Sequence, residues 1–225
     1  CSCNNADMAS LLERTFAGVI FDMDGTLIDS NPAVARAWLR WAEELGVTED
    51  RFSDPHIFAG RPARSVVAML LPEEQREEGL ARVNQLELED VEGIVPLPGA
   101  LDALATIPVW AIATSCTREL AQARIEAAGL PRPKVLVTAS DVTHGKPDPE
   151  PFLLAAERLG LDPADTLVAE DATSGIDAGR AAGAATLAVT TTTPADRLTH
   201  ADMVVDGLDE ITWRPENTRV GLSRS

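Results

Sequence analysis

The sequence predicts an α/β fold: a doubly wound parallel sheet with an inserted all-helical domain. Three observations carry this. From Leu101 onward, short apolar runs alternate with helical segments over short connections, as a parallel sheet requires. One further apolar run, Ala17–Phe21, stands alone near the N-terminus. Between it and the rest lies a block, 32–92, that carries only helical signal.

The elements follow in order. Residues 1–16 read as an N-terminal tail. Ala17–Phe21 suits a strand buried on both faces. Asn31-Pro32 opens a helix, with Asn31 as N-cap, Pro32 in the first turn and Gly46 at the end. Val34, Trp38, Trp41 and Leu45 recur along it at helical spacing. Helical signal resumes over 62–90, where Leu80, Val83 and Leu86 form one buried stripe. "GIVPLPGA", with its two prolines and two glycines, reads as a linker. The strands Val109–Ala113, Val135–Thr138, Thr166–Ala169 and Ala185–Val189 then alternate with helices over Arg118–Ala128, 149–159 and Ser174–Ala182. Met203–Val205 closes the series. The expected division is a core of 17–31 and 93–214, an inserted helical domain of 32–92, and a loose C-terminal tail of 215–225. Because the insert follows the first strand, it sits above the carboxyl edge of the sheet, where such sheets bind ligands.

Composition narrows the function. The 225 residues are 45% apolar and 24% charged, ordinary for a globular chain, and the net charge is −17. Such acidity argues against a nucleic-acid partner. No apolar stretch approaches the roughly 20 residues of a membrane span, and no basic-then-apolar signal region opens the chain. Cys1, Cys3 and Cys116 match no zinc or disulfide spacing, which fits a reducing, cytoplasmic compartment. Monomer is the default expectation.

The chemistry concentrates at strand ends. "VIFDMDGTLIDS" places Asp22 and Asp24 just past the first strand. A turn accounts for Asp24-Gly25 but not for Asp22. A calcium loop fails, because its fifth position would be Thr26 and its twelfth Ala33. The next strand ends in Thr114 and Ser115, hydroxyls ahead of a helix start that favours phosphate; they would serve equally as helix caps. Lys146, one of only two lysines against 17 arginines, lies in a glycine–proline loop beyond the third strand. Glu170 and Asp171 tip the fourth, where two acids could also simply cap the following helix. Four carboxylates and one lysine sum to about −3, and a phosphate would add to the repulsion, so the cluster calls for a cation. All-oxygen ligands beside phosphate favour Mg²⁺. One of the paired acids would then stay ionised as a nucleophile, and the other could hold a proton for a leaving oxygen.

"DMDGT", "ATS", "GKPDP" and "EDATSG", in this order, resemble the motifs of the haloacid dehalogenase superfamily of phosphohydrolases across nearly all of 17–206. The resemblance implies that Asp22 forms an aspartyl-phosphate. It implies that Asp24 is the general acid and base, with its backbone carbonyl on Mg²⁺. Thr114 and Lys146, with Ser115 beside them, would bind the phosphoryl group. Asp171 would ligate Mg²⁺, with Glu170 as ligand or water-holder. The insert would be a small cap that closes over the substrate.

The presence of Asp24 departs from the dehalogenase branch. The absence of any lysine before Lys134 departs from the phosphonate-cleaving branch. "SNPAVARAW" and "AIATSCTRELA" look most similar to sugar and polyol phosphatases of the glycerol-3-phosphatase and 2-deoxyglucose-6-phosphatase group. The expected substrate is a small phosphorylated sugar or polyol. The alternative is a β-phosphoglucomutase-like enzyme. That branch carries a cap arginine three residues after a loop glycine, and here Gly60 is followed by Arg61, Pro62, Ala63 and Arg64. A remoter alternative is a non-catalytic binding protein on the same fold. Arg61, Arg64, His56 and Trp38 are the insert's candidates for facing substrate, set against packing or surface roles.

Overall fold

The computed structural model describes residues 11–48 and 63–225. In chain order its elements are β1 (Thr15–Phe16), β2 (Gly18–Phe21), β3 (Ile28–Asp29), α1 (Asn31–Leu45), α2 (Ala63–Leu70), α3 (Arg76–Glu89), β4 (Val95–Pro96), α4 (Ala100–Thr106), β5 (Trp110–Ala113), α5 (Arg118–Ala127), β6 (Leu136–Val137), α6 (Glu150–Leu159), β7 (Thr166–Glu170), α7 (Thr173–Ala181), β8 (Ala185–Val189), β9 (Met203–Val205), β10 (Ile211–Glu216) and β11 (Arg219–Arg224).

The apolar runs of the sequence become a six-stranded sheet of order β6-β5-β2-β7-β8-β9, parallel throughout. The fold class is as expected. Side chains alternate across the sheet, and both faces are apolar. Val19 and Phe21 join Ile112, Leu167 and Leu187 on one face, under α4 and α5. Ile20 joins Ala111 and Val168 on the other, under Phe152 and Ala155 of α6.

The helices between β3 and β4 build a core of their own. Trp38, Trp41, Val66, Val67, Leu70, Val83 and Leu86 form it. Trp41 donates its indole N–H to the Gly79 carbonyl at 2.7 Å. Both connections to this insert are paired: Ile28 faces Pro96 and Asp29 faces Val95 in a short antiparallel ribbon. The expected linker "GIVPLPGA" is therefore partly strand.

Three expectations are corrected. Ser30, not Asn31, holds the N-cap position of α1, and it makes no capping hydrogen bond. Its hydroxyl is engaged with Asp24 instead. The expected C-terminal tail is a hairpin of β10 and β11, to which β1 adds a third strand. Trp213, Val220 and Leu222 belong to the main core, and Trp213 meets Phe21 edge-on at 6.1 Å. The end of the expected N-terminal tail is likewise built in, since Leu11 and Phe16 are buried. Arg219 fastens this layer, with one arm donating to Asp165 at 2.7 Å and the other to the Thr15 carbonyl at 2.7 Å.

Candidate active site

The sheet register sets the site. Phe21 is in register with Ile112 of β5 and Ala169 of β7, so the next residues of all three strands emerge side by side at the carboxyl edge. Those residues are Asp22, Ala113 and Glu170. Asp22 N–H donates to the Ala169 carbonyl at 2.9 Å, which carries the ladder one residue past the strand.

Lys146 enters this edge from its loop. Its Nζ donates to Asp22 Oδ1 at 2.5 Å, Glu170 Oε1 at 2.7 Å and the Ala113 carbonyl at 3.0 Å. Glu170 Oε2 accepts the N–H groups of Asp171 and Ala172, both at 2.8 Å. Asp171 accepts from the Thr192 hydroxyl. Asp22, Glu170 and Asp171 are all buried, and one oxygen of each lies within 4.8 Å of the others. Two glycines make room for them. A Cβ at Gly175 would overlap the Glu170 carboxylate. Gly25, at φ +85°, adopts a conformation that side chains disfavour, and a Cβ there would press on Asp171.

Burial, and the neighbouring Glu170, push the Asp22 carboxyl up to about 8 against the pull of Lys146. Burial, then Glu170 and Asp22, also raise Asp171 well above the usual carboxylate range. Desolvation works against the Lys146 ammonium, but the two carboxylates outweigh it and hold the proton more tightly than usual. With the three acids ionised, these four side chains carry a formal −2. A hard divalent cation matches both that charge and the oxygen-only donor set. Asp22 and Asp171 could serve as ligands more readily than Glu170, whose two oxygens are already engaged.

Asp24 faces elsewhere. Ser30 Oγ donates to its Oδ1 at 2.6 Å, Arg124 Nη1 to the same oxygen at 2.8 Å, and Cys116 Sγ to Oδ2 at 3.1 Å. Thr114 is buried directly after β5, its hydroxyl accepting the Cys116 N–H at 3.2 Å, while Ser115 is exposed. Of the candidates on the insert, Arg64 is exposed at the start of α2. His56 and Arg61 lie outside the described residues. Trp38 is corrected: it is buried inside the insert, stacked edge-on against Trp41, with its indole N–H donated to Glu87 at 2.9 Å. Amphipathic packing took it inward.

The residues that hold Asp24 were not foreseen, yet α5 held a signal. Arg124 shares the buried stripe of Leu120, Ala121 and Ile125, where a charge needs partners. Glu87 sits likewise beside Val83 and Leu86 in α3.

Comparison with known proteins matches residues 16–183 to the model of the haloacid dehalogenase-like hydrolases. The chain is 39% identical to hexitol phosphatase A of Escherichia coli over 211 residues, covering 87% of this chain and 93% of that one. It is 37% identical to glycerol-1-phosphate phosphohydrolase 2 of Saccharomyces cerevisiae, over 90% of this chain and 84% of that one. Among solved structures, a hydrolase from Pseudomonas syringae superposes with a TM-score of 0.73 at 29% identity, over 85% of this chain and 94% of that one. A β-phosphoglucomutase from Clostridium difficile reaches 0.75 at 21% identity, over 88% and 93%, which shows a shared fold.

Proposed function

The chain belongs to the haloacid dehalogenase-like hydrolases, and from that premise we propose that it hydrolyses small sugar or polyol phosphates through an aspartyl-phosphate, with Mg²⁺ bound. It is a phosphoric monoester hydrolase. The observation that carries the finer reading is the split between two aspartates of one loop. Asp22 lies 2.5 Å from the Lys146 ammonium within the acidic cluster, and Asp24 is turned out of it toward Ser30 and Arg124. Two carboxylates in different surroundings take different roles.

Asp22 attacks the phosphorus through a carboxylate oxygen, and the bond from phosphorus to the ester oxygen breaks. Asp24 gives its proton to the departing alkoxide. It then takes a proton from the water that attacks the aspartyl-phosphate, which releases inorganic phosphate and restores both acids. Lys146 and Thr114, with Ser115 at the rim, hold the phosphoryl oxygens. Asp22, Asp171 and the Asp24 carbonyl, with Glu170 alongside, would hold Mg²⁺, which would supply positive charge against the nucleophile and the phosphoryl group. The insert acts as a cap that keeps bulk water out while the proton moves. The named relatives act on hexitol and glycerol phosphates, which supports a small polyol or sugar ester as the substrate. The working form is a cytoplasmic monomer.

The test is phosphate release from a panel of sugar and polyol monophosphates, with Mg²⁺ and with EDTA, for the wild type and for Asp22→Asn. Mg²⁺-dependent release from a few small esters, abolished in the variant, is expected. Wild-type turnover in Asp22→Asn would remove the nucleophile from this scheme. Isomerisation of β-glucose 1-phosphate without release, given a bisphosphate activator, would make the enzyme a mutase. Binding without turnover of any ester would leave a binding protein.

A further inference from the structure

Among the described residues Asp24 has one charged holder, and that holder comes from outside the four motifs. Arg124 projects from the last turn of α5 with only 4% of its side chain exposed. Its Nη1 donates to Asp24 Oδ1 at 2.8 Å. Its Nη2 reaches the other way, 3.4 Å from Glu87 Oε2 on α3 of the insert. Glu87 is itself fixed by the Trp38 indole N–H, from α1. A single buried cation thus bridges the catalytic loop and the insert. Nη1 also donates to Cys116 Sγ at 3.2 Å, and the longest of the three bonds is the one that crosses to the insert.

Burying a guanidinium in an apolar helix stripe gains little stability over a hydrophobe of similar size. What it adds is direction. Arg124 and Ser30 both donate to the same Asp24 oxygen, which fixes the carboxyl against rotation. Without Arg124 the side chain would be left on a hydroxyl and a thiol, two neutral donors. Resting on the reading of Asp24 as acid and base, we propose that Arg124 is its positioning residue, and that the contact with Glu87 ties this position to the seating of the insert.

The leaving group separates this role from a merely structural one. A sugar or polyol alkoxide needs the Asp24 proton to depart. Nitrophenolate does not, so phosphorylation of Asp22 by p-nitrophenyl phosphate is insensitive to where Asp24 sits. The experiment compares single-turnover cleavage of glycerol 1-phosphate and a hexitol phosphate with the nitrophenolate burst, for wild type, Arg124→Met, Arg124→Lys and Glu87→Gln.

In Arg124→Met the alkyl-ester rate should fall roughly 100-fold, the scale of general acid catalysis. The burst should change by less than about threefold. Arg124→Lys should recover part of the alkyl rate. Glu87→Gln should show the same selective loss, smaller, at roughly threefold to tenfold. Equal losses on both ester classes, or no loss on the alkyl esters, would overturn the proposal. If Arg124→Met fails to fold, the lysine and glutamine variants decide by the same ratio. Wild-type protein inactive on all three esters with Mg²⁺ would instead sink the functional reading.

Discussion

Replacing Lys146 by methionine removes the one cation that the described residues place in the acidic cluster and keeps a side chain of similar length. In the folded protein that ammonium makes three hydrogen bonds, at 2.5, 2.7 and 3.0 Å, with 4% of the side chain exposed. Removing one partner of a buried ion pair costs roughly 3–5 kcal/mol. Protonation relieves part of this. Asp22, already pushed up to about 8 by burial, can neutralise near pH 7, and the residual cost then approaches the ~1–3 kcal/mol of an unpaired buried polar group.

We therefore expect the variant, in EDTA near neutral pH, to be about 2–3 kcal/mol less stable than wild type. The sign with pH follows from linkage. Asp22 has a folded pKa raised above its unfolded value. The stability it contributes is full below the unfolded pKa and is lost as pH rises through the folded one. Without Lys146 that folded pKa climbs further, so the gap to wild type widens above about pH 8. Mg²⁺ should narrow the gap, because the site becomes one charge more negative. Urea unfolding at about pH 6 and about pH 9, with EDTA and with Mg²⁺, measures all of this. A gap below about 1 kcal/mol that stays flat with pH would refute the account of Lys146 as the cluster's counter-charge.

Three further outcomes are expected. In Gly175→Ala the new methyl must displace the Glu170 carboxylate, so the Mg²⁺ concentration for half-maximal turnover should rise about 10-fold or more; an unchanged metal titration would contradict the packing. Trp213→Ala should cost roughly 3–5 kcal/mol in denaturant unfolding, since the ring is buried against Phe21; a loss below about 1 kcal/mol would mean that the hairpin is only loosely seated. Burial opposes the Asp141 carboxylate, but donors from Thr138, Arg118 and Arg158 outweigh it and hold the pKa low, so its contribution is present above about pH 4 and lost on acidification. Asp141→Asn should thus melt lower than wild type at neutral pH and lose less on going to about pH 3; parallel acid limbs would argue against it.

The parallel strands were legible because each is a short apolar run, buried on both faces and closed by polar residues. The strand tips were legible for the same reason: Asp22, Lys146, Glu170 and Asp171 break apolar or loop patterns without a local cause. The hairpin at the C-terminus was not. Its inward residues, Trp213, Val220 and Leu222, are separated by "RPENTR", and only the three-strand layer with β1 gives them a partner face. Ser30 does not stand out in the sequence because Asn31 offers an equally good local cap, and only the distant Asp24 decides between them. Arg124 and Glu87 meet across the fold, from α5 and α3, and periodicity marks such residues as misplaced without saying what they face.

The ribbon of Ile28–Asp29 against Val95–Pro96 has a consequence for the history of such a chain. Seen from the sheet, everything from Ser30 to Ile94 is one hairpin loop whose ends are already joined. The entropy of closing a loop grows only with the logarithm of its length, about 0.6 kcal/mol for each doubling. The sheet is therefore nearly indifferent to what hangs from the ribbon. A guest of another size or shape can be exchanged at this one junction without re-sorting a strand, and new selectivity can be acquired as long as the guest also supplies a partner for Arg124.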